Sequence, residues 1–251
     1  MRVNRKPPVT DTKTESIVED GKLDMVIAFD TTGSMSCYIE SVKKHVVELI
    51  PKLFESNPNL RLGVVAFGDY CDMVSKDVFG KAYQCLNLTD NQDDIIKFVN
   101  SAKNTSGGDG DEFYELVIKK ITEETNWREN SEKAVLLIAD ADPHHPPYKW
   151  HGEIYNIDWK EEATKASLKG IKFDTLRILE YSTWYQELSS MTNGVSLPFK
   201  NSEKMSNVIY ATTLARGGEK TKELFYTTSV TALEDVEMAA VYTAYSKIVS
   251  K

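Results

Sequence analysis

The sequence predicts a doubly wound α/β fold: a mostly parallel sheet with one antiparallel edge strand and helices on both faces. Three observations carry that expectation. Apolar runs of strand length, Met25–Asp30, Leu60–Phe67 and Ala134–Asp140, are nearly continuous, as in strands buried on both faces. Segments with apolar residues at helical spacing alternate with them, which implies parallel strands joined by right-handed crossovers. Polar residues gather just after the strands, where open α/β sheets bind ligands.

Taken in order, residues 1–22 are polar, carry Pro7-Pro8 and lack periodicity, and read as a flexible lead-in. Met25–Asp30 is the first strand. From Met35 to Phe54, Ile39, Val42, Val46, Ile50 and Leu53 recur at helical spacing, with Pro51 expected to kink the helix or end it early. Asn57-Pro58-Asn59 turns into the strand Leu60–Phe67. Tyr83–Leu88 is expected as the antiparallel edge, reached by a hairpin, and Thr89 or Asp90 caps a helix running to about Ala102. A glycine-rich acidic loop, Asn104–Glu112, opens the helix Phe113–Glu124. Ala134–Asp140 is the clearest buried strand, and His144–Asp158 is expected as a long irregular connection. Helix Trp159–Lys169, strand Ile171–Leu179, helix Ser182–Met191, strand Gly194–Leu197 and helix Ser202–Leu214 complete the alternation. Beyond Gly217-Gly218 the pattern weakens, with Val230–Val249 expected as an extra helix packed on the body. No repeat divides the chain, so the expectation is one domain over residues 23–215 and a C-terminal extension over 216–251.

A chain of 251 residues can bury a core, and 41% hydrophobic with 27% charged residues is the balance of a soluble globular protein. The net charge of -8 argues against a nucleic-acid or anionic-membrane partner and fits cation binding. No apolar run approaches the roughly 20 residues of a membrane span. The basic N-terminus precedes no apolar segment of a secretory signal. Cys37, Cys71 and Cys85 are too far apart for a C-x-x-C motif, and an odd number without a signal implies reduced thiols and a cytoplasmic setting.

Function is concentrated in Leu23–Ser36, LDMVIAFDTTGSMS. Its apolar half breaks into Asp30, Thr32, Gly33, Ser34 and Ser36 where the strand ends. A carboxylate and two hydroxyls at i, i+2 and i+4 converge on one spot if the loop curls, and Gly33 permits the curl. Hard oxygen donors with few charges suit Mg²⁺, with Mn²⁺ and Ca²⁺ as further candidates. Asp140, at the end of another buried strand, is expected beside Asp30, and two such carboxylates repel unless a cation lies between them.

Asp30-Thr31-Thr32-Gly33-Ser34 resembles the D-x-[ST]-x-S pattern of the von Willebrand factor type A (VWA) domain and its metal-ion-dependent adhesion site, and the likeness runs from about Lys22 to Leu214. The resemblance implies a Rossmann-like fold, with Asp30, Thr32 and Ser34 as the first metal-site residues and Asp140 as the last. The family's middle loop supplies a threonine, for which Thr105 is available. The run Gly107-Gly108-Asp109-Gly110-Asp111-Glu112 is also similar to the G-G-D-x-x-E loop of intracellular branches, including those linked to alpha-kinase-type proteins, and Ile138–His144 looks like the same branch. On that likeness Asp109 ranks ahead of Thr105 as the loop ligand. The resemblance further implies a binding module and not an enzyme: a protein partner's Asp or Glu completes the metal shell, as in an adaptor or assembly factor.

The same first motif also resembles the nucleophile loop of haloacid-dehalogenase-type phosphotransferases, where Asp30 would attack phosphorus and Asp140, Asp142 and Lys133 would assist. The glycine-acid loop at 107–112 has no place in that scheme. A third reading keeps the fold without the metal, as a scaffold that binds through residues 144–158 and the C-terminal helix. His144, His145 and His151 suggest zinc but lack an obvious fourth ligand, and are expected at the surface or framing a partner groove. Asp69 and Asp72, after the second strand, are expected in a solvated loop, with the rim of the site as the alternative. The acidic 107–111 run has no Gly-Lys-[ST] ending and makes a poor phosphate cradle.

Overall fold

The computed structural model describes residues 21–73, 81–178, 182–199, 201–232 and 234–250. Most of the expected lead-in over residues 1–22, and Leu179 at the expected end of its strand, lie outside them. In chain order the elements are β1 (Leu23–Asp30), α1 (Ser36–Ser56), β2 (Leu60–Phe67), β3 (Tyr83–Thr89), α2 (Gln92–Ser101), β4 (Asp111–Glu112), α3 (Tyr114–Glu124), β5 (Glu132–Ala139) and β6 (Asp142–Pro143). They continue with β7 (Tyr148–Trp150), β8 (Glu153–Tyr155), α4 (Trp159–Leu168), β9 (Ile171–Arg177), α5 (Trp184–Met191), β10 (Ser196–Pro198), α6 (Met205–Arg216), α7 (Glu219–Thr231) and α8 (Val236–Val249).

Six strands form one sheet in the order β10-β9-β5-β1-β2-β3, with only β3 antiparallel to its neighbour. Because β1 is buried at every position, its side chains feed two apolar layers. Met25, Ile27 and Phe29 join α1, α2, α6 and α8 on one face, while Val26 and Ala28 join α3, α4 and α5 on the other. The chain runs outward from β1 through β2 to β3, then returns to place β5 on the other side. The switch point therefore lies between β1 and β5, and a crevice opens outside their carboxyl ends.

Several local expectations change. Helix α1 runs through Pro51 to Ser56. The proline lies on the exposed face between buried Ile50 and Leu53. Its interior cost of about 3 kcal/mol is offset by several buried side chains worth roughly 1.5–3 kcal/mol each. Asn91, not Thr89 or Asp90, caps α2 by accepting from the Asp93 and Asp94 amides at 3.1 and 3.3 Å. The connection 144–158 is not wholly irregular. β7 and β8 form a hairpin turned by His151 and Gly152, whose φ of 47° and 85° suit a two-residue turn with both centres left-handed. The expected helix over 230–249 is two: α7 ends at Thr231, and Asp235 starts α8 by accepting from the Glu237 and Met238 amides. Both pack against α6, where Tyr245 is buried and receives the Thr212 hydroxyl at 2.9 Å.

Two buried aspartates hold the frame. Asp24 receives Arg61 and Arg128, with the Arg128 amide at 2.7 Å. Asp174 on β9 receives the Arg216 guanidinium from the end of α6, Nε to Oδ2 at 3.0 Å. Among the described residues, no helix is long and apolar enough to cross a membrane.

Candidate functional site

Asp30 is the last residue of β1 and Asp140 follows β5, so the pairing of Phe29 with Ile138 brings both carboxylates to the crevice. Asp30 is fully buried. Its Oδ1 accepts from the Thr32 amide and the Thr32 hydroxyl, each at 2.7 Å, and its Oδ2 accepts from the Tyr114 hydroxyl. Burial pushes the Asp30 carboxyl up to about 7 against these donors, and the Asp140 charge pushes the same way. Thr32 Oγ1 lies 3.3 Å from Ser34 Oγ, and Ser34, exposed at the head of the turn, hydrogen-bonds Asp140. Asp140 Oδ1 is buried without a partner, and burial raises this carboxyl too.

The two candidate loop ligands occupy different places. Thr105 donates its amide to the Thr31 carbonyl at 2.8 Å, and its hydroxyl lies 3.1 Å from that of Thr31. It thus locks the loop 104–107 to the end of β1. Gly68 makes room for it, since a Cβ there would stand 2.4 Å from Thr105 Oγ1. Asp109 is exposed and receives Tyr148 at 3.2 Å. One oxygen of it lies within 4.8 Å of ligand atoms of Asp69 and His144. The structure therefore brings Asp30, Thr32, Ser34 and Asp140 together and places Asp109 in a neighbouring group.

Glu112, to which the loop motif assigns no role, brings its carboxylate to the site. A Cβ on Gly107 would meet Glu112 Oε1 at 2.8 Å and the Thr32 Cβ at 3.2 Å, and Gly107 has a φ of 69°, so glycine is needed twice over. Glu112 Oε2 is buried without a partner. Burial first, then the charges of Asp30, Asp69 and Asp72, push this carboxyl up to about 10.

Asp72, expected in solvent, is 2% exposed and organises the loop: Oδ1 accepts from the Ser106 amide and hydroxyl at 2.9 and 2.8 Å, and Oδ2 from the Asp69 and Gly107 amides. Asp69 and His144 are likewise buried, not surface groups. Parallel pairing of β4 with β6 and the His144 amide on the Glu112 carbonyl at 3.2 Å carry the histidine inward. The sequence gives Tyr114 only a place at the start of the helix Phe113–Glu124. Its hydroxyl both donates to Asp30 and accepts the Ala141 amide at 3.1 Å.

The oxygens present fit a hard divalent cation. Thr32 and Ser34 turn their hydroxyl hydrogens toward carboxylates and keep lone pairs free, while two orphaned carboxylate oxygens lie buried nearby. A doubly wound sheet with such an oxygen set beyond its central strands defines an open α/β domain with a polar crevice at its switch point. Its sequence matches the von Willebrand factor type A domain over residues 24–212, and the chain belongs to that family.

Among similar proteins is a putative ariadne-like RING finger protein of Acanthamoeba polyphaga mimivirus, 23% identical over 76% of this chain and 19% of the viral protein. Another is the alpha-protein kinase vwkA of Dictyostelium discoideum, 28% identical over 53% of this chain and 20% of the kinase. The chain thus spans about a fifth of the length of these relatives. Proximal thread matrix protein 1 of the mussel byssus shares the fold, with a TM-score of 0.56 and 17% identity over 76% of this chain and 46% of that one.

Proposed function

We propose that this protein is a divalent-metal-dependent protein-binding module, an adaptor or assembly factor of the cytoplasm. Mg²⁺ is its natural cation, and Mn²⁺ is the more tightly held substitute. Thr32, Ser34 and Asp140 are the direct donors, Asp30 orients Thr32, and Thr105 fixes the loop behind them. Asp109 is the alternative loop ligand if the loop rearranges on binding. The observation that carries this reading is the buried, unpartnered oxygen of Asp140 beside the Thr32 and Ser34 hydroxyls. With Glu112 protonated, Asp30 and Asp140 balance the charge of one divalent cation. The neutral hydroxyl ligands leave that cation acidic enough to take an Asp or Glu from a protein partner. No nucleic acid or membrane surface is called for.

A phosphotransferase role is disfavoured because both Asp30 oxygens are engaged and the side chain is fully buried. Both named relatives are several-fold longer than this chain, which suits a recognition module joined to other activities.

The test is calorimetry with Mg²⁺ and Mn²⁺ on the native chain and Asp30→Ala, followed by capture of acidic peptides with metal or chelator present. One saturable isotherm lost in the variant, with capture abolished by chelator, is expected. Capture that survives chelation would instead establish the metal-free scaffold.

A further inference from the structure

Beside the adhesion-type centre, Asp69, Asp109 and His144 each offer a ligand atom, all within 4.8 Å of one another. From this arrangement we propose a second cation site, which takes a nitrogen-accepting divalent metal of the Zn²⁺ class through one imidazole and two carboxylates. It shares with the Mg²⁺ reading only Asp109, that site's alternative loop ligand, and stands without it.

Three elements converge to build it. Asp69 leaves the end of β2, Asp109 comes from the loop before β4, and His144 follows β6. The pairing of β4 with β6 ties the last two together. Asp69 and His144 are 0% and 2% exposed, with His144 Nε2 at 2.8 Å from Asp69 Oδ1. The other oxygen of that same carboxylate, Oδ2, is buried and unpartnered. A buried carboxylate with half its acceptor capacity unmet carries a desolvation cost that a cation removes.

The imidazole is held for the task. Tyr148 stacks on His144 with ring centroids 3.6 Å apart, and the Tyr148 hydroxyl reaches Asp109, so one residue orients both outer ligands. Asp109 is exposed, which opens the group to solvent on that side and gives the metal its path in. Two carboxylates and an imidazole leave a position open for water or a partner group. The nitrogen donor distinguishes this group from the all-oxygen set at Asp30, since imidazole favours Zn²⁺ and Co²⁺ over Mg²⁺. Binding replaces whatever proton lies between His144 Nε2 and Asp69, so it releases protons to buffer.

The probes are Zn²⁺ by calorimetry and Co²⁺ by visible absorption, on the full chain in excess Mg²⁺. We expect one Zn²⁺ equivalent that Mg²⁺ does not displace, and a Co²⁺ d–d spectrum showing a nitrogen ligand. His144→Gln and Asp109→Ala should each weaken Zn²⁺ binding at least 10-fold and abolish that spectrum, while Asp30→Ala leaves both intact. Asp109 is exposed, so its variant keeps the fold and separates ligand loss from unfolding, which far-ultraviolet circular dichroism checks. Zn²⁺ binding unchanged in folded Asp109→Ala and His144→Gln, or lost instead in His145→Gln, overturns the proposal. Loss only in Asp30→Ala would show a single centre and overturn it as well.

Discussion

Replacing Tyr114 by phenylalanine removes one oxygen and two hydrogen bonds, one donated to Asp30 Oδ2 and one accepted from the Ala141 amide. Tyr114 and Asp30 are both 0% exposed, so water cannot take over either role. A hydrogen bond to a charged group is worth about 1.5–3 kcal/mol, and an orphaned buried amide costs about 1–3 kcal/mol. Metal-free Tyr114→Phe should therefore lose roughly 2.5–6 kcal/mol near pH 8, where Asp30 is ionised. Losing the donor also raises the proton affinity of Asp30 by about 1–2 pH units, at 1.36 kcal/mol each. Near pH 7 the metal must then displace a more firmly held proton, and Mg²⁺ or Mn²⁺ affinity should fall about 10–100-fold, the range seen when a group orienting a ligand is lost. The deficit should narrow toward pH 9. Urea unfolding with and without Mn²⁺, together with calorimetry at pH 7 and pH 9, reads both effects. A variant that loses stability but binds metal with native affinity at both pH values would refute the reasoning, making Asp30 a structural carboxylate remote from the cation.

Metal-free stability should decline as pH rises from about 4 to 7. The folded Asp30 carboxyl sits near 7 against an ordinary 3.8, so the folded state binds more protons in that window and stability is lost as pH climbs. Asp30 alone accounts for about 4 kcal/mol of that decline, Glu112 extends it upward, and saturating Mg²⁺ should flatten it; thermal unfolding at pH 5 and 7.5 is the check. Arg216→Met leaves Asp174 buried and unpaired, and should cost about 3–5 kcal/mol, seen as a Tm lower by roughly 6–20 °C for a domain of this size, with metal affinity unchanged. Gly107→Ala places a methyl 2.8 Å from Glu112 Oε1 at a left-handed φ. It should cost about 1–2 kcal/mol from the backbone alone and shift metal affinity as well, measured by urea unfolding and calorimetry.

The sheet was legible because strand burial on both faces writes nearly continuous apolar runs, and Leu60–Phe67 matches its strand end to end. Elements that depend on neighbours were not. Val230–Val249 has helical composition throughout, and only the capping geometry of Asp235 breaks it. The two left-handed residues at His151-Gly152 form a hairpin that loop composition concealed. That Asp30, Thr32, Ser34 and Asp140 share one edge was legible from the strands alone, since Asp30 closes β1, Thr32 and Ser34 lie two and four residues on, and Asp140 follows β5. Glu112 and His144 arrive through the pairing of β4 with β6, which two-residue strands do not announce, and Tyr114 through the first turn of α3.

Charge compensation separates the frame from the functional edge. Asp24 and Asp174 are both 0% exposed, and each is paired with arginine from the chain itself. Asp30, Asp140 and Glu112 are buried to a similar degree, yet among the described residues no lysine or arginine pairs with any of them. A folded chain that can place an arginine against Asp174 has the means to neutralise a carboxylate wherever stability alone is at stake. Leaving several carboxyls at the carboxyl ends of the strands without one costs stability and raises their proton affinities. Selection for folding by itself would remove such a cluster. Its presence fits the metal site proposed above, in which the missing positive charge comes from solution and not from an arginine of the chain.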